Sequence, residues 1–235
     1  MRRLSFIIPA YNEAALIAAC LRSIREETRG LVAEVIVVDN GSTDNTVEIA
    51  LDYGAIVIFE GVKGVTRARQ AGFKFSTGRM LAFIDADNVL PPGWLGTALA
   101  AFDAPDVAAV SGPLHYIGAT RRERRIVRAF YFVGTLVSKF WPMLQGGNFM
   151  VRRWALECAG GFATDIDFWG EDTDSAVRFA RFGRVRFVPQ MWIWTSRRRM
   201  QSSGLVRTGL LYMLNFIWVH ATGHPLSKRY HDVRS

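Results

Sequence analysis

The sequence Met80-Leu-Ala-Phe-Ile-Asp-Ala-Asp-Asn88 joins a run of apolar residues to two carboxylates that are one residue apart. Its apolar part, 80–84, predicts a buried strand, and Asp85 and Asp87 follow where this strand leaves the sheet. Charged side chains are rarely buried without a partner, so two carboxylates at this place favour a bound cation. Both would face one Mg2+ or Mn2+ ion if the chain stayed extended, because residues i and i+2 of a strand point to one side. A solvated strand end with an Asp-Asn turn is the alternative.

The first half of the chain alternates apolar strands with amphipathic helices. The strands are apolar throughout, which is typical of a parallel sheet that is covered on both faces. We therefore predict an α/β fold with a mostly parallel central sheet flanked by helices. The predicted strands are 4–10, 35–38, 55–59 and 80–84, and the predicted helices are 14–25, a helix that ends at residue 52, and 64–75.

Polar clusters follow three of these strands, at Tyr11-Asn12-Glu13, Asp39–Asp44 and Asp85–Asn88. The carboxyl ends of adjacent parallel strands meet at one edge of a sheet, where such folds bind their ligands. We therefore expect the three clusters to line one crevice. Part of the second cluster also has a local explanation, because Ser42 or Thr43 can cap the next helix.

The formal net charge of +8 permits three kinds of partner: nucleic acid, an anionic membrane surface or a polyanionic small substrate. The basic clusters lie in the second half of the chain, at 121–125, 197–199 and 228–229. No nucleic-acid-binding motif accompanies them, so nucleic acid is not expected as a partner.

The two cysteines and the N-terminal sequence bear on the cellular compartment. Cys20 and Cys158 are far apart in sequence and show no metal-binding spacing, which predicts two reduced and buried thiols. The apolar run Leu4–Ala10 is too short for a signal peptide. A cytoplasmic protein is therefore expected.

Four stretches follow one another in a recognisable order and spacing. They are Ser5-Phe-Ile-Ile-Pro-Ala-Tyr-Asn-Glu13, Val37-Val-Asp-Asn-Gly-Ser-Thr-Asp44, Ala68-Arg-Gln-Ala-Gly72 and Phe83-Ile-Asp-Ala-Asp87. Together they resemble the nucleotide-binding half of a family 2 glycosyltransferase with the Rossmann-like GT-A fold. One departure is Gln70, because the family usually has Asn after the Arg. The resemblance continues more weakly to about Trp194.

The resemblance implies a nucleotide-sugar pocket, with a UDP-sugar as the favoured donor. Asp39 would accept a hydrogen bond from the base, and Arg69 would lie near the nucleotide or its diphosphate. Asp85 and Asp87 would form the DxD motif, with Asp87 as the main ligand of Mn2+ or Mg2+ and Asp85 as a ribose or second metal contact. Tyr11 could instead be packed in the core. The other implied pocket residues are Pro9, Ala10, Glu13, Ser42, Ala86 and Gly147.

Two stretches of the second half point to the acceptor side. The pair Gly146-Gly147 is explained by close approach of the backbone to a ligand or by a β-bulge. Glu171 and Asp172 open a predicted helix, where two acids are also ordinary N-terminal chemistry. The resemblance implies that Asp172 is the general base and that Glu171 positions either the acceptor or Asp172. Trp169 would then form part of the acceptor wall.

The last part of the chain leaves more alternatives open. Residues 184–196 are predicted to form one strand, and 197–199 form either a loop over the diphosphate or a solvated basic patch. Residues 208–221 are apolar but too short for a membrane span, so they pack in the core or lie at a membrane interface. The predicted organisation is one GT-A domain at 1–203, with a nucleotide-sugar half at 1–115 and an acceptor half at 116–203, followed by an apolar helix and basic tail at 204–235.

The expected activity is transfer of a sugar, with inversion, from a nucleotide-diphosphate sugar to an acceptor hydroxyl. The product would be a polysaccharide, a glycolipid or a cell-envelope glycan. The acceptor could be lipid-linked, with a peripheral contact at the inner face of the cell membrane. Two alternatives stay open: a sugar nucleotidyltransferase, and a non-enzymatic basic protein that binds membrane surfaces.

Overall fold

The computed structural model describes residues 4–166, 170–198, 204–224 and 226. Ten strands and eight helices form within these ranges. The strands are β1 Leu4–Ala10, β2 Ala33–Asp39, β3 Ile56–Phe59, β4 Met80–Ile84, β5 Asn88–Val89, β6 Val107–Ser111, β7 Leu114–Tyr116, β8 Asn148–Arg152, β9 Arg184–Phe187 and β10 Ile193–Thr195. The helices are α1 Ile17–Glu27, α2 Thr46–Asp52, α3 Val65–Phe75, α4 Trp94–Ala101, α5 Arg121–Val137, α6 Arg153–Cys158, α7 Glu171–Ala180 and α8 Leu205–Thr222.

A seven-stranded sheet in the order β3-β2-β1-β4-β8-β6-β9 forms the centre of the fold. The strands β1 to β4 are mutually parallel, and β9 is parallel to β6. Only β8 runs antiparallel, to β4 on one side and β6 on the other. A second sheet in the order β5-β10-β7 lies beyond the end of β4. The predicted α/β fold with a mostly parallel central sheet is confirmed.

The core has two layers because side chains alternate across the sheet. Phe6 and Ile8 of β1 pack in the layer that contains α1 and α4, whereas Ile7 packs in the layer that contains α3, α6 and α7. All three side chains are fully buried. Full burial of such a side chain contributes about 1.5–3 kcal/mol relative to exposure. This double layer holds the carboxyl ends of the strands in fixed positions.

The prediction of one strand over 184–196 is wrong. The segment forms β9 in the large sheet and β10 in the small one, with a turn closed by the Met191 N–H donating to the Val188 carbonyl at 3.0 Å. Pro189 lies in this turn, and proline cannot donate the backbone hydrogen bond that a continuous strand would need. The break moves the chain from the core to the edge of the candidate site.

The predicted cap of α2 is also wrong. The helix begins at Thr46, and neither Ser42 nor Thr43 caps it. Both residues bond to Asn12 instead: the Ser42 hydroxyl accepts from the Asn12 N–H at 3.0 Å, and the Asn12 side-chain oxygen accepts from the Thr43 N–H at 2.8 Å. The Asp44 carboxylate accepts from the Thr46 N–H at 3.1 Å.

The two cysteines differ in burial. Cys20 in α1 is fully buried, as predicted, and its sulfur lies 3.7 Å from the backbone oxygen of Asp85. Burial, followed by the nearby carboxylates of Asp87 and Asp85, raises the pKa of this thiol. Cys158 is exposed at the end of α6, so the prediction of burial is wrong there. The buried side of this short helix is formed by Ala155 and Leu156 instead.

The helix α8 includes the predicted apolar segment and packs against α7. Asn215 and Val219 are buried on its inner side. In the part of the chain that the structure describes, no helix is both long and apolar enough to cross a membrane.

Candidate active site

The three polar clusters leave the sheet at the same edge. Ala10 at the end of β1 pairs with Asp39 at the end of β2, and the Asn40 N–H donates to the Ala10 carbonyl at 2.8 Å. On the other side of β1, Ile7 pairs with Phe83 of β4, so Asp85 follows at the same level. The adjacent, parallel arrangement that the crevice required is therefore present.

Hydrogen bonds between the first two clusters fix three of the predicted pocket residues. Asp39 is almost fully buried, and its carboxylate accepts from the Ser42 N–H at 3.0 Å. The Ser42 hydroxyl in turn accepts from Asn12, which adopts the left-handed conformation with φ 53° that asparagine tolerates. The Glu13 N–H donates to the Thr46 hydroxyl at 2.8 Å. Asp39, Ser42 and Glu13 thus belong to one hydrogen-bonded rim.

Tyr11 lies at the rim of the crevice rather than in the core. Its ring is half-buried, and the Lys63 ammonium lies 3.4 Å from the ring centroid, in a cation–π contact. Lys63 belongs to the segment 60–64, which is held by the Asn40 side chain. The Asn40 amide donates to the carbonyls of Glu60 and Val62 at 2.7 and 2.9 Å, and the Asn40 side-chain oxygen accepts from the Gly64 N–H at 2.8 Å. This role of Asn40 was not predicted from the sequence, although Asn followed by Gly is typical of a turn.

The chain turns at the carboxylates that end β4. The Asn88 N–H donates to the Asp85 carbonyl at 3.0 Å, which closes a turn around Ala86 and Asp87. The chain is therefore not extended here, so the condition under which the i, i+2 rule would direct both carboxylates to one ion is not met. The turn that was the alternative expectation forms instead. Ala86 is buried in this turn, whereas the carboxylates of Asp85 and Asp87 are partly exposed and have different partners.

Each carboxylate of this turn lies beside an arginine. Arg69 of α3 contacts Asp85, with 3.1 Å between its Nη2 and the carboxylate oxygen. Arg198, which follows β10, lies 3.5 Å from Asp87 and contacts the buried carboxylate of Glu13 at 2.7 and 2.9 Å. Arg198 therefore joins the polar clusters that follow β1 and β4.

The structure distinguishes among the three consecutive arginines at 197–199. Arg197 points to the acceptor half, where it bonds to the Gly118 carbonyl and lies 4.0 Å from Glu123. Arg198 reaches the crevice, and Arg199 lies outside the described residues. The sequence could not make this distinction, because Arg198 and Glu13 are 185 positions apart.

The glycine pair contacts both sides of the site. Gly147 has φ 72°, and a Cβ there would lie 2.3 Å from the carboxylate of Asp85, so only glycine fits. Its carbonyl accepts from the Asp85 N–H at 3.3 Å and from the Asn88 side chain at 2.7 Å. The Gly146 N–H donates to Asp172 at 3.4 Å. The close approach that the glycines permit is thus to the protein's own carboxylates, and β8 pairs with β4 without a bulge.

Glu171 and Asp172 are buried at the start of α7, with 7% and 8% of their surfaces exposed. The Glu171 carboxylate lies 3.6 Å from Nη1 of Arg69, and the Asp172 carboxylate accepts from the Thr173 N–H at 2.8 Å. Solvated acids at a helix start would be open to water, so ordinary surface capping does not describe this pair. The structure brings the pair next to Asp85 through Arg69.

Burial raises the pKa of both acids. Burial and the neighbouring Asp172 raise the pKa of Glu171 to about 8, against the opposing effect of Arg69. Burial also raises the pKa of Asp172, against backbone donors from Thr173 and Gly146. Each of the two buried acids therefore binds a proton more readily than an exposed carboxyl group does. This is the environment in which a carboxylate becomes an effective general base.

Arg69 is the charged centre that the two acidic pairs share. Its side chain is 2% exposed, with Asp85 on one side and Glu171 on the other. The face of the Phe149 ring lies 5.7 Å from the guanidinium carbon. Its Nε has no hydrogen-bond partner among the described residues. A buried arginine needs acidic partners, so removal of either carboxylate would leave part of its charge uncompensated.

The helix α3 also holds the segment that leads to the buried acids. The Gln70 side chain accepts from the Phe162 N–H at 2.9 Å, and the Thr66 hydroxyl donates to the Ile166 carbonyl at 2.8 Å. Gln70, the departure from the family pattern, therefore has a structural role here. Trp169, expected in the acceptor wall, lies outside the described residues.

Two further side chains support the site from outside the motifs. Tyr131 of α5 donates to Gln145, the residue before the glycine pair, at 2.9 Å. Asn148, the residue after the pair, is fully buried; its amide donates to the Met191 carbonyl at 2.8 Å, and its oxygen accepts from Trp94 at 2.9 Å. The sequence analysis missed both, because their partners are distant in sequence and belong to no motif.

The chemistry of the DxD turn suits a hard divalent cation that a substrate helps to bind. Asp85 and Asp87 offer carboxylate oxygens, with 39% and 24% of the side chains exposed. Within the described ranges, no group of three or more His, Cys, Asp or Glu residues could hold a metal alone. Mg2+ in proteins is commonly bound by one or two carboxylates together with substrate phosphates. The residues therefore fit such an ion if a diphosphate supplies the remaining ligands.

Comparison with known proteins identifies the family. The model of the glycosyl transferase family 2 matches residues 5–162, which is more than half of the chain. The chain belongs to the family 2 glycosyltransferases. Glycosyltransferase AglE of Haloferax volcanii is 36% identical over 130 residues, which are 51% of this chain and 43% of AglE. An uncharacterised protein of Mycobacterium tuberculosis is 29% identical over 209 residues, 79% of this chain and 64% of its own length.

Solved structures confirm the GT-A fold. A mannosyltransferase from Pyrobaculum calidifontis, in complex with GDP-Man and Mn2+, superposes with a TM-score of 0.69 at 27% identity. The alignment covers 88% of this chain and 62% of the mannosyltransferase. Glucosyl-3-phosphoglycerate synthase of Mycobacterium tuberculosis, with Mg2+ and UDP, gives 0.67 at 22% identity over 96% of this chain and 81% of its own. The chain spans less than half the length of AglE and under two thirds of the mannosyltransferase.

Proposed function

We propose that this protein transfers a sugar from a nucleotide-diphosphate sugar to an acceptor hydroxyl, with inversion and with a divalent metal. A UDP-sugar is the favoured donor. The observation that carries the proposal is the pairing of a partly exposed DxD turn with a buried Glu171-Asp172 pair, held together by Arg69 and Gly146-Gly147. The family and the structural neighbours do not favour the nucleotidyltransferase or the non-enzymatic alternative.

The donor nucleotide would occupy the edge formed by β1, β2 and β4. The Asp39 carboxylate can only accept hydrogen bonds when ionised, which suits an N–H group of a base. Tyr11 and Ser42 stand beside it on the rim, and Pro9 and Ala10 shape the end of β1. The pocket is completed by Glu13, Ala86 and Gly147.

Asp87 would be the main ligand of Mn2+ or Mg2+, and Asp85 a second ligand or a ribose contact. When bound, the ion acts as a Lewis acid that neutralises charge on the leaving diphosphate. Arg69 lies near the diphosphate in this proposal and acts through Asp85, which it contacts. The ions present in the mannosyltransferase and synthase complexes support this choice of cofactor.

Asp172 would remove the proton from the acceptor hydroxyl. The acceptor oxygen then forms a bond to the anomeric carbon as the bond to the diphosphate oxygen breaks, and the diphosphate leaves with the electron pair. Attack from the side opposite the diphosphate inverts the anomeric centre. Glu171, whose raised pKa keeps it largely protonated at neutral pH, would position the acceptor or Asp172.

The proposed cellular setting is the synthesis of a polysaccharide, glycolipid or cell-envelope glycan on a lipid-linked acceptor. The protein would work in the cytoplasm, in peripheral contact with the inner face of the cell membrane. The proposed organisation is a GT-A domain at 1–203, with its nucleotide half at 1–115 and its acceptor half at 116–203, and a separate tail at 204–235.

Calorimetric titration with UDP, GDP and dTDP, each with Mn2+ and with a chelator, tests the donor site. We expect one nucleotide to bind in a metal-dependent manner, and Asp87→Ala to lose the metal-dependent part. Asp103→Ala, which removes an exposed carboxylate elsewhere, is the matched control and should bind normally. Absence of nucleotide binding by the folded protein would refute the proposal. Release of pyrophosphate instead of a nucleoside diphosphate from the sugar donor would point to nucleotidyl transfer.

A further inference from the structure

The helix α5 carries basic residues at its start and large apolar residues at its end, both on its outer side. Five exposed arginines occupy its first half, and its one acid, Glu123, is engaged with the Thr120 cap and lies 4.0 Å from Arg197. Val127 is the one buried residue of α5. The exposed arginines are Arg121, Arg122, Arg124, Arg125 and Arg128.

Large apolar side chains at the C-terminal end of α5 are exposed to solvent. Phe132 is 66% exposed, Val133 57% and Leu136 45%, and Phe140 just beyond the helix is 85% exposed. Phe132, Val133 and Phe140 each lie three or four residues from Leu136, so the four share one side of the helix. That side continues toward the N-terminus through Arg121, Arg125 and Arg128, which precede Phe132 by eleven, seven and four residues.

The helix α8 adds a second apolar stripe. Leu210, Met213, Leu214, Ile217 and Trp218 are each 43–49% exposed and recur at i, i+3, i+4, i+7 and i+8. These positions form one side of a helix. Their opposite side is the one through which α8 packs onto the domain.

Trp141, which follows Phe140 in the chain, brings the end of α5 next to α8. Its ring lies 6.1 Å from Phe216 and 5.7 Å from His220 of α8, and 48% of its surface remains exposed. Exposed apolar patches with polar residues at their edges mark interaction surfaces.

We propose that the outer sides of α5 and α8 together form a docking surface for an anionic lipid bilayer. The apolar stripes enter the interfacial layer, and the arginines of α5 lie among anionic headgroups. Charge complementarity selects this occupant, because five arginines adjoin apolar rings and no exposed acid of α5 opposes them. Interfacial helices combine these same two features, an apolar stripe and adjacent basic residues.

The position of α5 connects this surface to the acceptor side of the site. The inner side of the helix presents Tyr131, which bonds to Gln145, and the next residue, Gly146, donates to Asp172. A helix with its side chains is about 10 Å thick, so a bilayer on the outer side would place its headgroups close to the buried acids. If the proposed function holds, the acceptor hydroxyl is carried by a membrane lipid. The docking itself does not depend on that function.

Co-sedimentation of the full chain with vesicles tests the surface. The vesicles are phosphatidylcholine alone, or phosphatidylcholine with about 30% phosphatidylglycerol. We expect binding to the anionic vesicles that weakens with salt. Arg122→Gln with Arg125→Gln should lower the partition by about 25-fold, since each basic residue near an anionic leaflet contributes about fivefold. Arg25→Gln of α1 with Arg29→Gln just after that helix, both at exposed positions, is the matched control.

The apolar contribution is tested by Phe132→Ser with Phe140→Ser, against Phe75→Ser with Phe182→Ser as a matched pair of exposed phenylalanines elsewhere. We expect the first double variant to lose vesicle binding and the second to keep it. Nucleotide titration of the same variants separates this proposal from the proposed function, because docking variants should bind nucleotide normally. Equal binding to neutral vesicles, or no vesicle binding together with self-association that Phe132→Ser with Phe140→Ser abolishes, would overturn the proposal.

Discussion

The site contains two pairs of acids that differ in burial although they lie on either side of the same glycines. Asp85 and Asp87 have 39% and 24% of their side chains exposed, and each lies beside an arginine of its own. Glu171 and Asp172 are 7% and 8% exposed, and Glu171 approaches the same Arg69 that contacts Asp85. The first pair is partly open to solvent, whereas the second pair is almost closed to it, and burial raises the pKa of both acids of the second pair.

The difference follows from the elements that carry each pair. The turn after β4 projects from the sheet edge, where side chains reach water. The start of α7 lies beneath the Gly146-Gly147 loop, which covers its carboxylates. Backbone position therefore gives the same residue types two different environments, which is why different roles are proposed for the two pairs.

The largest expected effect comes from Asp172→Asn. Loss of a general base typically lowers the rate by about 10^2–10^4-fold, so turnover of the sugar donor should fall by that factor. The substitution keeps the shape of the side chain and does not touch the exposed pair. Release of nucleoside diphosphate from the donor, with water as acceptor if no other is known, measures the change. Turnover within twofold of the parent protein would contradict the assignment.

A smaller but still large effect is expected from Gly147→Ala, which perturbs the loop between the two pairs of acids. The added methyl group would meet Asp85 at 2.3 Å, in a backbone conformation that disfavours side chains. Overpacking and left-handed strain together should cost about 3 kcal/mol.

Urea-induced unfolding measures this cost, and Gly30→Ala is the matched control. Gly30 has φ 79° with no atom within 4 Å of the added methyl, so only the conformational part of about 1–2 kcal/mol should remain. Equal losses for the two variants would show that the contact with Asp85 has no energetic weight.

The smallest effect, Glu171→Gln, tests the burial of the second pair through pH. Because the pKa of Glu171 is about 8 in the folded protein and ordinarily about 4.5, the folded state binds this proton more tightly than the unfolded chain does. Its stabilising contribution is complete below about pH 4.5 and is lost as the pH rises through about 8. Gln cannot ionise, so the stability of the variant relative to the parent should rise over this range.

Unfolding free energies at several pH values measure that trend. Glu26→Gln, at an exposed position of α1, provides the comparison and should change little with pH relative to the parent. A stability difference for Glu171→Gln that stays constant from pH 5 to pH 8 would mean that the buried pair does not hold the proton.

The sequence was sufficient for those parts of the site that depend on local pattern. Apolar runs predicted the parallel strands, and the polar clusters after β1, β2 and β4 predicted the crevice, because parallel neighbours must end at one edge. It was insufficient where a contact joins distant segments. The contact between Arg198 and Glu13 has no local signal in the sequence. Ser42, a predicted cap of α2, accepts a hydrogen bond from Asn12 of another loop instead.

At other places the structure differs from the prediction because one pattern in the sequence outweighed another. Aromatic residues favoured one strand over 184–196, but Pro189 ends the pairing and sends the chain into the small sheet. The turn at Asp85–Asn88 was expected from the sequence only as the alternative to an extended chain, because Asp and Asn are common in turns but the apolar run favours a strand. Measurements of activity and binding test the roles proposed for the acidic residues.

The most direct test of the division between the two pairs is nucleotide binding by Asp87→Ala and Asp172→Asn, measured by calorimetry in Mn2+ and in chelator. We expect Asp87→Ala to lose the metal-dependent part of binding and Asp172→Asn to bind as the parent protein does. Metal-dependent binding that survives in Asp87→Ala, or that disappears in Asp172→Asn, would contradict the proposed roles of the two pairs.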